Sequence, residues 1–326
     1  MPVIAMAGRP AHPAGAWRDR GRNSLRTYRC FGITVASPLA FPGEWPPCPV
    51  ADDPTLLVDG RLGSWRGAGE GGWSGVCDGE RFAAERASNG AYRFFHGGRT
   101  LLELSPDHRR LTGDLDPAVT DVRWWRAVLD SILFTVALLR GGEALHAGAV
   151  ATPAGAVAIA GPQASGKSTL LAHLVRHEDA TLLCDDVLFV SATGPAVVAH
   201  PGPPLMTVPR TLPGTGSPPG TPIDDLADET WTAVATGVEP VALRRIVLLD
   251  RSAPRAADVL PEPEPFVALM RHLLPFPRTG PRAAARLALA SEIARTVELV
   301  RLRAPLHYPV QGLAERALGS TLQART

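Results

Sequence analysis

The stretch that most constrains this 326-residue chain is an apolar run over residues 156–160 followed by Gly161, Pro162, Gln163, Ala164, Ser165, Gly166, Lys167, Ser168 and Thr169. Gly161, Gly166, Lys167 and Ser168 fill every fixed place of the phosphate-binding pattern G-x-x-x-x-G-K-[ST]. The apolar run reads as a buried strand, and Leu170, Leu171, Leu174 and Val175 recur after the loop at helical spacing. Strand, glycine loop and helix in that order is the context the motif requires, and it commits the chain to an α/β core. Glycines let the backbone curl so that successive N–H groups point inward at an anion. The opening helix adds unpaired N–H groups and the positive end of its dipole. On that chemistry residues 161–169 cradle a nucleotide's phosphates, Lys167 bridges the outer ones and the Ser168 hydroxyl ligates Mg²⁺.

Two further features fit beside such a loop. Asp185 and Asp186 close an apolar, strand-like run that starts at residue 180. Acids there can hold Mg²⁺, directly or through water, or accept the proton of an attacking hydroxyl. Residues 144–150 read as another strand, joined to the pre-loop strand by a turn at Pro153-Ala154-Gly155. His146 lies in it. A lone histidine in an apolar strand is ordinarily a packed core residue, so the residues alone leave its role open.

Composition narrows the remainder. Hydrophobic residues make up 45% and charged ones 20%, as in globular proteins, and a net charge of +1 gives no electrostatic reason to expect nucleic acid or an acidic membrane as partner. Cys30, Cys48, Cys77 and Cys184 form no C-x-x-C pair; scattered in this way they point to a reducing compartment with free thiols. No run reaches the roughly 18 apolar residues that a membrane helix needs. The first 27 residues lack a secretory apolar region and read as a disordered tail rich in Arg, Gly, Ala and Pro. The expectation is a cytoplasmic protein.

Residues 28–117 alternate short apolar runs with turn dipeptides, Asp59-Gly60, Asp78-Gly79 and Asn89-Gly90, and predict a small antiparallel β domain. Trp45, Trp65 and Trp73 in it are read as core or turn packing in preference to a ligand platform. A helix is predicted over 118–139, its buried face marked by Val128, Leu129, Ile132, Leu133 and Val136, with Trp124 and Trp125 at the seam between the β domain and a catalytic domain over 118–326. Gly141-Gly142 ends it. Residues 200–229, rich in Pro, Gly and Thr, read as a mobile loop near the substrate entrance; its acids Asp224, Asp225, Asp228 and Glu229 are read as a solvated charge run. A strand is expected over 242–249, helices over 266–274 and 282–294, and a last strand over 296–302. His272 and His307 have no partner at metal-ligand spacing and receive no role.

The Leu145-His146-Ala147 strand, the loop 161–168 and Cys184-Asp185-Asp186 together resemble the catalytic domain of the HPr kinase/phosphorylase family. The layout is also similar to the HPr-kinase-related proteins of peptide-modification clusters, including lasso-peptide tail kinases. The resemblance implies a mixed sheet flanked by helices, of the HPr kinase/phosphoenolpyruvate carboxykinase type, preceded by the β domain. It implies an ATP- and Mg²⁺-dependent kinase acting on a Ser or Thr hydroxyl of a peptide or protein, with Asp185 as the catalytic base, Asp186 as its metal-associated neighbour and His146 near the transferring phosphate. A homo-oligomer is compatible with it. Where the family follows the loop lysine with Ser-Glu, this chain has Ser168-Thr169, and the downstream E-I-R-G-L-G-I signature is missing, which argues against HPr itself as substrate. Arg210, Arg244, Arg245 and Arg278 are candidates by type alone for a transition-state arginine. The alternatives are a kinase of a small hydroxylated metabolite, or a non-catalytic nucleotide-binding partner of a modification complex. An L-S-G-G-Q or N-K-x-D motif, which a transporter-type ATPase or a GTPase would need, is absent.

Overall fold

Alternating apolar residues with β-branched and aromatic side chains build the first sheet of this computed structural model. The structure describes residues 25–48, 54–59, 72–77, 80–96, 99–113, 125, 128–194, 196–210, 219–226, 229–237, 239–253, 255–274 and 280–319. β1 (Arg26–Cys30) and β2 (Ile33–Ser37) form a hairpin around Phe31-Gly32. β3 (Leu56–Asp59), β4 (Gly72–Cys77), β5 (Glu80–Arg86), β6 (Tyr92–His96), β7 (Arg99–Leu104) and β8 (Arg110–Gly113) complete a sheet of order β1-β2-β3-β8-β7-β6-β5-β4. The sheet is mixed, where the sequence predicts an antiparallel one: β3 runs parallel to both β2 and β8. Turn dipeptides announce hairpins between consecutive strands, and Asn89-Gly90 does turn β5 into β6, with Ala91 N–H bonded to the Asn89 side chain at 3.0 Å. They say nothing about a strand that inserts between distant partners. Asp78-Gly79 and Trp65 lie outside the described residues.

The inner face of this sheet carries Val35, Leu56, Phe94, Leu102, Leu104 and Leu111, all fully buried. Against it pack a π-helical turn (Val128–Leu133) and α1 (Phe134–Leu139), with all five residues of the predicted stripe buried. Of the helix predicted over 118–139, residues 118–124 lie outside the described residues. Trp125 is buried with its ring 5.2 Å from Phe41, which stacks on Tyr28 at 4.1 Å; Trp45 meets Tyr28 edge-on. Phe189, Leu205 and Trp231 join the same cluster, so one apolar core is shared by elements on both sides of α1.

The second sheet holds the loop. β9 (Glu143–Thr152), β10 (Gly155–Ala160), β11 (Thr181–Cys184), β12 (Val187–Thr193), β13 (Ala196–His200), β17 (Val241–Asp250), β18 (Asp258–Pro261) and β19 (Glu298–Arg303) make it up. β10 pairs antiparallel with β9 and parallel with β17, so β9, β12, β13, β17 and β10 close a circuit of pairings. Residues of β9 and β10 are apolar on both faces because both are covered. One face (Leu145, Ala147, Ala149, Ala156, Ala158) meets α3 (Pro265–His272) and α4 (Gly280–Thr296), and the other (Val150, Val157, Ile159) meets α2 (Lys167–His177) and α5 (Val310–Leu318). Glu143, 2% exposed, is bonded by Arg282 at 3.0 Å and tied to α4; burial raises its pKa and the two arginines, Arg282 and Arg286, oppose that.

The stretch read as a mobile loop over 200–229 contains ordered strands. β14 (Leu205–Pro209), β15 (Thr221–Leu226) and β16 (Glu229–Ala233) form a three-stranded sheet in the order β14-β16-β15, anchored by the buried Trp231. Prolines and glycines interrupt the apolar alternation there, which hid the strands from a pattern reading. Asp224 lies within β15, half-buried. Among the described residues no helix is long and apolar enough to cross a membrane.

Candidate nucleotide-binding site

β10 is buried along its whole length and delivers Gly161 at the carboxyl end of the sheet. Gly166 caps α2 with φ +90°, a left-handed conformation that glycine adopts without a steric penalty. Ala164 is also left-handed, at φ +60°. α2 is fixed by Leu170, Leu171 and Leu174, each fully buried and each contributing about 1.5–3 kcal/mol. Its first residue, Lys167, is only 7% exposed, and Nζ donates to Gly161 O at 3.0 Å and Pro162 O at 3.1 Å. Burial pushes the Lys167 pKa down, and the charges of Asp186 and then Asp185 oppose this. Pro162, Gln163 and Ala164 are exposed and Thr169 is half-buried. The Ser165 hydroxyl is buried in the loop without a hydrogen-bond partner.

Asp185 and Asp186 interrupt the ladder between β11 and β12, which both run antiparallel to β9: Cys184 pairs with Ala149 and Val187 with His146. The chain must therefore loop out beside the phosphate loop. Ser168 Oγ donates to Asp185 Oδ1 at 3.3 Å, and the Thr207 N–H of β14 donates to Asp185 Oδ2 at 2.9 Å. Asp186 is exposed, with φ +66°. That backbone is unusual for a residue with a side chain, and such strain is found at functional sites. Cys184 just before them is fully buried, its thiol pKa raised well above the usual range by that burial and by Asp185.

His146 stands between the two halves of the site. Ala147 pairs with Ala160, the residue that precedes the loop, while Val187 after the acids pairs with His146 itself. Residues alternate across a strand, so His146 shares the face of Gly148 and Val150. That face meets α2, since a Cβ at Gly148 would lie 2.1 Å from Leu171 Cδ1.

The structure adds one neighbour that the sequence left without a role. After α3, Leu273 bridges Leu145 antiparallel and Leu274 N–H donates to Ala144 O at 2.8 Å, which sets His272 across from His146. Burial lowers the His272 pKa, followed by the positive charges of His146, Lys167, Arg301 and Arg271. No short-range pattern could have found it, because the pairing is made only when α3 closes onto β9. The arginine candidates fare differently. Arg210 and Arg244 are exposed, Arg245 is buried against Glu298 and donates to Arg316 O, and Arg278 lies outside the described residues.

These residues suit a nucleotide and a divalent cation. Lys167 is a buried ammonium that makes no ion pair among the described residues, its nearest counter-charges being the more distant Asp185 and Asp186, and an anion seated in the loop would pair with it directly. The orphaned Ser165 hydroxyl marks the same cradle. Among the described residues no three His, Cys, Asp or Glu side chains form a self-sufficient metal site. Magnesium needs none: it commonly takes one or two carboxylates, phosphate oxygens and water, and Ser168 beside Asp185 offers that set.

No family model and no curated protein matches the chain. Among solved structures it is similar to the HPr(Ser) kinase/phosphatase from Coxiella burnetii, at 16% identity over 56% of this chain and 99% of that one, with a TM-score of 0.31. A likeness that slight decides neither fold nor chemistry.

Proposed function

We propose that this chain is an ATP- and Mg²⁺-dependent kinase with a core of the HPr kinase/phosphoenolpyruvate carboxykinase type. It transfers a γ-phosphoryl group to a Ser or Thr hydroxyl of a peptide or protein. The observation that carries the reading is the hydrogen bond between Ser168 and Asp185, which joins the phosphate loop to the acidic strand end. Loop, metal-binding hydroxyl and carboxylate are the parts that phosphoryl transfer requires. Mg²⁺, when bound by Ser168 and Asp185, supplies charge neutralisation at the phosphate oxygens.

The chain's own residues do the rest by positioning and electrostatics. Lys167 exchanges its two carbonyl contacts for phosphate oxygens, a stronger, charge-assisted pairing. The amides of residues 161–166 donate to the same group. Asp185 is oriented by Thr207 N–H, and in this reading it also takes the proton of the acceptor hydroxyl. Asp186, exposed and electrostatically coupled to Lys167, flanks the acceptor's approach. His146 faces the transferring group from β9.

The test is transfer itself. The purified protein is incubated with Mg²⁺ and ATP, alone and with peptides encoded beside its gene, and products are read by mass spectrometry. Gain of one HPO₃ on a Ser or Thr, absent with Lys167→Ala, supports the reading. Tight ATP binding with no transfer to any such peptide overturns it in favour of a metabolite kinase or a non-catalytic module.

A further inference from the structure

We propose that His272 recognises the terminal phosphate of the bound nucleotide, closing the site across His146 from the two acids. The inference rests on the nucleotide-binding reading above and adds a residue from a distant part of the chain.

Position comes first. β9 has the acids on one edge and, on the other, the loop followed by Leu273. The Leu145–Leu273 bridge puts both of those side chains in the apolar cluster under α3 and α4. His146, next along β9, therefore turns to the opposite face, which carries α2 and Lys167. His272, the last residue of α3, stands across from it within electrostatic range of both His146 and Lys167. The position is firmly held: Leu269 is buried, its carbonyl accepts from Leu273 N–H at 3.1 Å, and Leu274 is bonded to β9.

Chemistry comes second. Among the described residues neither His146 nor His272 has a hydrogen-bond partner on its ring. His272 is half-buried beneath like charges. Of those, Arg301 is committed to Glu262 at 2.6 Å and to Asp250. Two imidazoles with free ring nitrogens beside a buried ammonium are the donors that suit an anion. A phosphate loop covers the inner phosphates with its amides and reaches the outer ones with its lysine. The remaining oxygens of the terminal phosphate are what an N–H of His272 would meet. ADP lacks that phosphate.

The experiment compares ADP with the Mg²⁺ complex of a non-hydrolysable imido triphosphate, by calorimetry, on the unsubstituted chain, His272→Gln and His272→Asn. Expected is a loss of about tenfold in triphosphate affinity, the scale of one hydrogen bond to a charged group, with ADP affinity unchanged within about twofold. In the unsubstituted chain the His272 ring resonances should shift with the triphosphate and not with ADP, a readout independent of how the variants fold. Equal weakening of both nucleotides, no weakening of either, or the same ring shift with both overturns the role of His272 and leaves nucleotide binding standing. Failure of the unsubstituted chain to bind either nucleotide overturns the phosphate-loop reading, and this inference with it.

Discussion

Replacing Asp185 by Asn separates what the carboxylate does for the fold from the metal and base roles proposed for it. Its oxygens accept from Ser168 Oγ at 3.3 Å and Thr207 N at 2.9 Å. An asparagine oxygen can keep the Thr207 bond, so the structural loss is the difference between a charged and a neutral acceptor, about 1 kcal/mol. Asp185→Ala instead leaves the Thr207 amide unpaired in a half-buried place, and should cost about 1–3 kcal/mol. Binding moves the other way when metal is withheld. A carboxylate within about 4 Å of a phosphate oxygen is repulsive by about 1 kcal/mol even in a water-like dielectric. Asp185→Asn should therefore tighten Mg²⁺-free ATP by about fivefold, lose the gain in affinity that Mg²⁺ brings, and cut transfer by at least about a hundredfold. Urea unfolding, calorimetry with and without EDTA, and turnover measure the three quantities. A variant with full magnesium enhancement and undiminished turnover would refute both the metal and the base assignment, while leaving the hydrogen bonds untouched.

Two other outcomes are expected. Gly148→Ala places a methyl 2.1 Å from Leu171 Cδ1 and 3.3 Å from Cys184 O; overpacking of about 1–3 kcal/mol should appear as a lower urea midpoint. Nucleotide affinity should weaken too, because α2 carries Lys167 and Ser168. The pH dependence follows from His108, His173, His200 and His272, each with its pKa lowered chiefly by burial. Their pKa values in the fold lie below the value near 6.5 of the unfolded chain, so their contribution is complete above that pH and is lost as pH falls toward the folded values. Stability should drop as pH falls from about 7 through the unfolded histidine value of about 6.5, above the range of Asp107 and Asp250, whose pKa values are lowered, while Glu143, raised by burial, acts in the opposite sense. His173→Leu, at a buried ring with both nitrogens unpartnered, should flatten part of the drop; an unchanged slope in urea titrations would count against the assignment.

The sequence by itself determined the local elements whose physics is short-ranged. The glycine loop, its strand and its helix were legible because curl, dipole and apolar stripe are written within residues 155–177. The two acids and the strand of His146 were legible for the same reason, as were β17 and β19, and α4 to within two residues at each end. What the tertiary structure decided is which of these meet. Parallel insertion of β3, the three-stranded sheet within residues 205–233, the Thr207–Asp185 bond and the approach of His272 to His146 all join segments far apart in the chain. Such contacts depend on pairing register and on which faces are already covered, and a backbone N–H or an isolated histidine carries no periodic signal of its eventual partner. The chain carries the phosphate-loop pattern in one continuous stretch; the side chains proposed to act with it were brought together only when both edges of β9 were occupied.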